Sequence, residues 1–130
     1  MNTLAAIARI VLGLVFLLAG LSGFVLINHP PPAPPRLAGY FQNVFFKSYW
    51  VLFVDGVEVI GGALLLANRY VPLALALLAP VIANIIIFHL TMQPIGLPVA
   101  AVVTALWAIL ARRFRTSFTP LFVQHAQVDR

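Results

Sequence analysis

The sequence has no cysteine and very few charged residues: 8% of its 130 residues are charged, and three are acidic. The absence of cysteine excludes disulfides, thiol redox chemistry, and zinc or iron–sulfur sites built on cysteine ligands. The hydrophobic fraction is 62%, and the mean hydropathy is +1.03. Because roughly a quarter of the residues of a soluble domain are charged, this composition indicates a protein that lies in a bilayer.

Several functional motifs are missing as well. The sequence contains no Gly-rich phosphate loop, no metal-spaced set of His, Asp and Glu, and no nucleophile motif. The net charge is +5, but the basic residues form no stripe with interleaved polar groups, so we expect no nucleic-acid partner. Four of the eight basic residues lie in the last 19, and we interpret them as topology signals and contacts to anionic membrane lipids.

Long apolar runs predict an all-α fold: a polytopic membrane protein with a four-transmembrane-helix bundle. The first run is longer than the apolar region of a usual signal peptide and has no clear cleavage site after it, so we interpret it as a retained helix. The predicted spans and the basic cytoplasmic tail that follows them lie at about residues 4–27, 48–67, 71–92, 97–111 and 112–130.

The connection between the first two spans contains two patterns. Residues 28–35 are rich in proline, which favours a polyproline II segment outside the hydrocarbon. After them, apolar side chains recur at the spacing of one helix face, at Leu37, Tyr40, Phe41, Val44 and Phe45. This spacing is typical of a short periplasmic helix that lies on the bilayer surface. An early start of the second span fits the same residues equally well.

Polar side chains inside the predicted spans are the main functional signal. An ionisable group in hydrocarbon costs about 2.5–3.5 kcal/mol, so it needs a partner, water or a function. The residues of this kind, which are candidates for ligand contact or a proton path, are Arg9, Asp55, Glu58, Asn84 and His89. These five residues do not have the spacing of a metal-ligand set, and none of them can be identified as catalytic from the sequence.

Arg9 shares a helix face with Gly13, Gly20 and Gly23. Small residues let a second helix approach closely, so this face is predicted to be packed. From the estimated depths in the membrane, we predict that Arg9 forms a buried pair with Glu58. The alternative is that Arg9 extends to the cytoplasmic headgroups.

Asp55 and Glu58 are three residues apart on one face of the second span, and Gly61 and Gly62 continue that face. Two carboxylates on one face repel each other when both are ionised. A simpler interpretation places Asp55 near the outer water and leaves only Glu58 deep, where a specific role is expected.

Asn84 and His89 lie on the third span, with Asn84 at a depth similar to that of Asp55. They are about 140° apart around a helix, so they share a narrow pocket only if a kink at Pro80 helps. His89 is either an interfacial histidine or a proton-relay or ligand-contact residue. It has no intramembrane histidine partner, which disfavours bis-histidine haem.

Three segments together resemble the DoxX-like family of small bacterial membrane proteins: residues 9–20 (RIVLGLVFLLAG), 58–66 (EVIGGALLL) and 84–90 (NIIIFHL). The resemblance implies a four-helix bundle in the bacterial inner membrane. Some members of the family are linked to quinone-dependent thiosulfate oxidation and to membrane oxidoreductase complexes. Other relatives act in the trafficking or assembly of membrane proteins.

The leading hypothesis is an accessory protein of the inner membrane whose polar site binds a small lipophilic ligand or a partner membrane protein. The alternative is a membrane subunit of a quinone-linked oxidoreductase, in which Glu58 or His89 moves protons. No residue set would hold a redox centre, and quinone is the one cofactor that the resemblance suggests. Membrane lipids, a redox complex and a second copy of the chain are the candidate partners. A small transporter is disfavoured, because four short helices enclose little volume.

The orientation gives the first testable prediction. With four spans, the side that holds both termini has six Lys or Arg residues and the other side has two, so both termini are expected in the cytoplasm. A reporter fused after Arg130 should be active if it works in the cytoplasm and inactive if it works only in the periplasm. The opposite result would reverse the orientation.

Overall fold

The protein is all-α in a computed structural model that describes residues 1–128, and no strand occurs within this range. The predicted fold class is confirmed. Single 3-10 turns lie at Pro94–Gly96 and Thr119–Phe122. The helices are α1 (Thr3–Leu26), α2 (Leu37–Lys47), α3 (Trp50–Leu66), α4 (Val71–Thr91), α5 (Leu97–Arg113) and the short α6 (Arg115–Phe118).

Four of these helices form a closed ring: α1 packs on α3, α3 on α4, α4 on α5, and α5 on α1. The interior of the ring is apolar, as expected where helices meet in a bundle. Its largest fully buried side chains include Leu12, Phe16, Leu65, Leu75 and Leu78. Beyond α5, the half-buried rings of Phe114 and Phe118 pack against this core, so the beginning of the basic tail is attached to the bundle.

Within residues 1–128, three segments are long and apolar enough to cross a membrane: α1, α4 and Pro94–Arg113. A fourth crossing is present if α2 and α3 together count as one span, although they meet at 82°. At 1.5 Å per residue, the 17 residues of α3 extend about 26 Å, slightly less than the hydrocarbon thickness. The bend excludes a straight early start of the second span, because residues 37–47 form a separate helix.

The turn between α2 and α3 depends on a left-handed backbone conformation at Tyr49, with φ 59° and ψ 0°. A residue with a side chain adopts this conformation at a cost of order 1–3 kcal/mol, so its surroundings must stabilise it. Aromatic packing does so here. The ring of Phe41 lies 5.8 Å from Phe45, 6.4 Å from Trp50 and 5.1 Å from Phe88.

The predicted apolar stripe of α2 divides into two parts. Phe41 and Phe45 are half-buried against the bundle, whereas Leu37, Tyr40 and Val44 are exposed. Exposed apolar side chains on a helix at a right angle to α3 fit a helix that lies on a bilayer. The side of the membrane on which α2 lies remains a prediction.

The α1–α3 interface is the closest in the bundle. A Cβ added at Gly62 would lie 2.5 Å from the Leu17 nitrogen and 2.8 Å from the Gly13 oxygen, both of them backbone atoms. A Cβ added at Gly20 would lie 2.7 Å from the Asp55 oxygen. The two helices therefore meet backbone to backbone, as small residues permit. The prediction that the glycine face of the first span is packed is confirmed.

This contact gives a stability prediction. Gly62→Ala should destabilise the protein by about 1–3 kcal/mol, since two backbones would have to separate and close packing would be lost. Gly56→Ala on the same helix is the matched control, because no atom lies within 4 Å of the added Cβ. The control should be neutral or stabilising by up to about 1 kcal/mol through helix propensity. Unfolding in sodium dodecyl sulfate, followed by circular dichroism, measures both, and equal stabilities would contradict the close contact.

Candidate functional site

Arg9 binds the end of α3. Its Nη1 donates hydrogen bonds to the carbonyl oxygens of Leu65 and Leu66, the latter at 3.2 Å. These carbonyls lie in the last turn of the helix, at the negative end of its dipole. The guanidinium therefore caps α3 and connects it to α1.

The predicted Arg9–Glu58 pair is wrong, and the glycine contact explains why. Because α1 and α3 run antiparallel with Gly13 beside Gly62, Arg9 lies opposite Leu66, four residues further along α3. Leu65 is seven residues from Glu58, or about 10 Å along the helix. The sequence-based prediction estimated the depth of each residue from the end of its own helix, and it did not take into account how the glycine contact aligns the two helices. Arg9 is half-buried on the α3 carbonyls, and its position relative to the cytoplasmic headgroups stays a prediction.

Asp55 lies in the α1–α3 interface. Its side chain is 5% exposed, and a Cβ at Gly23 would overlap its carboxylate. The Oδ2 atom has no hydrogen-bond partner among residues 1–128. Asp55 therefore packs against α1 and does not take part in the cavity between α2, α3 and α4.

A cavity of about 600 Å³ lies between α2, α3 and α4. We call it the aromatic groove, because five of its lining side chains are aromatic: Phe41, Phe45, Trp50, Phe53 and Phe88. Its polar lining residues are Glu58, Asn84 and His89. The remaining lining residues are Val54, Val57, Ala76, Leu77, Pro80, Val81, Ile85, Ile87 and Met92. Three of the five predicted site residues thus meet in one groove.

The register of α3 against α4 determines which residues lie at each end of the groove. Gly61 lies against the side chain of Leu78, and from this contact the antiparallel helices place Glu58 level with Val81 and Trp50 level with His89. The groove therefore extends from an aromatic end to Glu58, a distance of about 12 Å along α3.

Proline and asparagine shape the α4 wall of the groove. The ring nitrogen of Pro80 carries no proton, so the carbonyl of Ala76 loses its helical donor. One turn later, the Asn84 Nδ2 donates to the Pro80 oxygen at 2.9 Å. Asn84 and His89 both line the groove, which is wide enough to be reached from two sides of α4.

His89 is held in place at the aromatic end. Its Nδ1 lies 2.9 Å from the carbonyl oxygen of Gln93. Because a carbonyl can only accept, Nδ1 carries the proton in this hydrogen bond, which leaves a lone pair on Nε2 of the neutral ring. Gly96 lies against the imidazole, where a Cβ would overlap the ring.

Sequence reasoning missed the aromatic lining and the role of Gly96. A signal for one ring was present, because Phe88 follows Asn84 by four residues and so lies on the same face of α4. No comparable signal links Phe41 or Phe45 to α4, since these residues reach the groove only through the bend after α2.

The fold and the buried polar groups define a helical membrane protein with several apolar helices. Residues 4–91, about two thirds of the chain, match the family model described as DoxX. The chain therefore belongs to the DoxX family, and the predicted resemblance is confirmed. The matched region extends through α4 and contains all five predicted site residues. Comparison with curated proteins and with solved structures gave no match.

The position of Arg9 gives a second stability prediction. Arg9→Ala should destabilise the protein by about 1.5–3 kcal/mol, the usual contribution of hydrogen bonds to a charged group. Glu58 lies about 10 Å along α3 from Leu65, whose carbonyl Arg9 contacts. The effects of Arg9→Ala and Glu58→Ala should therefore add to within about 0.5 kcal/mol. Unfolding in sodium dodecyl sulfate measures the cycle, with the exposed Arg69→Ala as the control. Strong non-additivity would show that the two residues are coupled.

Proposed function

We propose that the protein is an accessory protein of the inner membrane that binds a small lipophilic molecule in the aromatic groove. The observation that carries this proposal is the groove itself. Its volume of about 600 Å³ falls in the usual range of ligand sites, roughly 300–1,000 Å³. Apolar walls with a few polar groups are also typical of such sites, and here the polar groups are Glu58, Asn84 and His89.

The exposed parts of the groove support entry from the bilayer. Phe53 is 72% exposed and Ile87 is 57% exposed, and both line the groove. On a membrane helix, such side chains face acyl chains. A lipophilic molecule would therefore reach Glu58 by lateral diffusion, without first crossing an aqueous phase. With both termini in the cytoplasm, the aromatic end of the groove lies toward the periplasm.

A second candidate function is a membrane subunit of a quinone-linked oxidoreductase complex. It is favoured by the position of Glu58 and His89 at opposite ends of one groove, because both side chains can exchange protons. The sequence provides no ligand set for a redox centre, so a partner protein would supply it. In membranes that contain the complex, Glu58→Gln should then slow quinone reduction, whereas Asp55→Asn outside the groove should not.

Filling the groove tests the leading proposal. Ala76 lines the groove on α4, whereas Ala101 is an exposed alanine on α5 outside it. Ala76→Phe should weaken binding of the neutral probe N-phenyl-1-naphthylamine about tenfold, equivalent to about 1.4 kcal/mol. Ala101→Phe should leave it unchanged.

The chain has two tryptophans, so a Trp107→Phe background makes Trp50 the single donor for energy transfer to the probe. Proteoliposomes of phosphatidylcholine provide the membrane. Equal affinity in the two alanine variants, or no transfer from Trp50 in the unmodified groove, would refute binding at this site.

A further inference from the structure

The aromatic groove has one acidic residue in its lining and no basic counterpart. Glu58 is the single acidic residue among its lining residues, and no Lys or Arg lines it. Arg9 is directed to the far end of α3, so it does not neutralise this carboxylate. In a low-dielectric site, an uncompensated carboxylate favours a cationic ligand strongly.

The other polar groups of the groove mainly accept hydrogen bonds. Asn84 uses an amide N–H on the Pro80 oxygen, which leaves Oδ1 free, and the carbonyl of Ala76 lacks its helical donor. His89 uses Nδ1–H on the Gln93 oxygen, so the neutral ring presents an acceptor at Nε2.

Among side chains with a fixed amide or indole proton, two donors remain in the lining: the second amide N–H of Asn84 and the indole N–H of Trp50. Trp50 lies at the end of the groove opposite Glu58. His89 lies at that end as well. Nearer the carboxylate, the Asn84 Oδ1 and the Ala76 carbonyl accept hydrogen bonds, so they favour a ligand group that donates.

The aromatic rings favour the same class of ligand. The faces of Trp and Phe rings attract organic cations through their quadrupoles. Phe41 lies within 6.4 Å of both Trp50 and Phe88 between ring centroids. These rings form a continuous aromatic surface at one end of the groove, where an apolar or aromatic body can stack.

We propose, as a refinement of the function above, that the aromatic groove is selective for lipophilic amines in their protonated form. The ammonium group pairs with the Glu58 carboxylate and the neighbouring acceptors. The apolar body of the ligand extends about 12 Å toward the aromatic end. The pairing offsets the cost of a carboxylate in the membrane, which supplies a reason for a glutamate at this depth.

The depth of Glu58 favours a free amine over a lipid headgroup. Glu58 is the ninth of the 17 residues of α3, so it lies at the middle of the helix. The ammonium of phosphatidylethanolamine remains at the membrane surface, near the level of Trp50, and its acyl chains extend inward. A free amphiphilic amine can enter with the opposite orientation.

The test compares three probes of similar shape in phosphatidylcholine proteoliposomes. They are 4-phenylbutylammonium, 4-phenylbutan-1-ol and 5-phenylpentanoate, and each is measured by displacement of N-phenyl-1-naphthylamine. The ammonium compound should bind at least about tenfold more tightly than the alcohol, a difference of about 1.4 kcal/mol. The carboxylate compound should bind most weakly.

Two isosteric variants assign the selectivity to one side chain. Glu58→Gln should bring the ammonium and the alcohol to similar affinities and leave the alcohol unaffected. Asp55→Asn, which changes a buried carboxylate on the same helix outside the groove, should keep the preference. If Glu58→Gln does not fold, the order of the three probes on the unmodified protein still decides the question.

The outcomes separate this inference from the function on which it rests. If the alcohol or the carboxylate binds as tightly as the ammonium, the cation selectivity is wrong, although the groove still binds lipophiles. If the naphthylamine itself does not bind, the proposed function fails. If added phosphatidylethanolamine displaces the ammonium probe, a lipid headgroup occupies the site and the placement of a free amine at Glu58 is wrong.

Discussion

The backbone contact between α1 and α3 sets the register that positions the buried charged side chains of this molecule. Because the backbones touch at Gly13 and Gly62, no flexible side chain lies between the two helices that could rearrange to permit a different register. Arg9 then falls opposite the last turn of α3 and caps its carbonyls. At the other end of the same interface, Asp55 is packed against Gly23. One contact between small residues thus directs both of these charged side chains away from the groove.

The groove exists because α2 folds back on the bundle. The chain turns by 82° between α2 and α3, through the left-handed Tyr49, and brings Phe41 and Phe45 over α3 and α4. Aromatic packing offsets the backbone strain at this turn. On α4, Pro80 removes one backbone donor and Asn84 engages the carbonyl of Pro80 itself. A straight second span would leave the groove without the rings of Phe41 and Phe45.

This arrangement relates membership of the DoxX family to a specific physical site. The family match identifies a membrane protein, and the groove provides the chemistry that the proposals use: one carboxylate, a held imidazole, several acceptors and an aromatic surface. Asp55 and Arg9 belong to the packing of α1 on α3. The sequence provides no reason to rank the five polar candidate residues. In the structure, three of them line the groove and two lie in the α1–α3 interface.

The sequence by itself determined the all-α membrane fold, the glycine face of α1 and the polar residues worth attention. These derive from local properties: apolar run length, helical spacing, and the cost of a charge in hydrocarbon. It did not determine which polar groups meet. The Arg9–Glu58 pair was wrong because depth was counted from the helix ends, whereas glycine contacts set the register. Phe41 and Phe45 reach the groove only because the chain bends at Tyr49. Contacts between distant segments of this kind depend on how helices pack and turn, which local residue spacing does not encode.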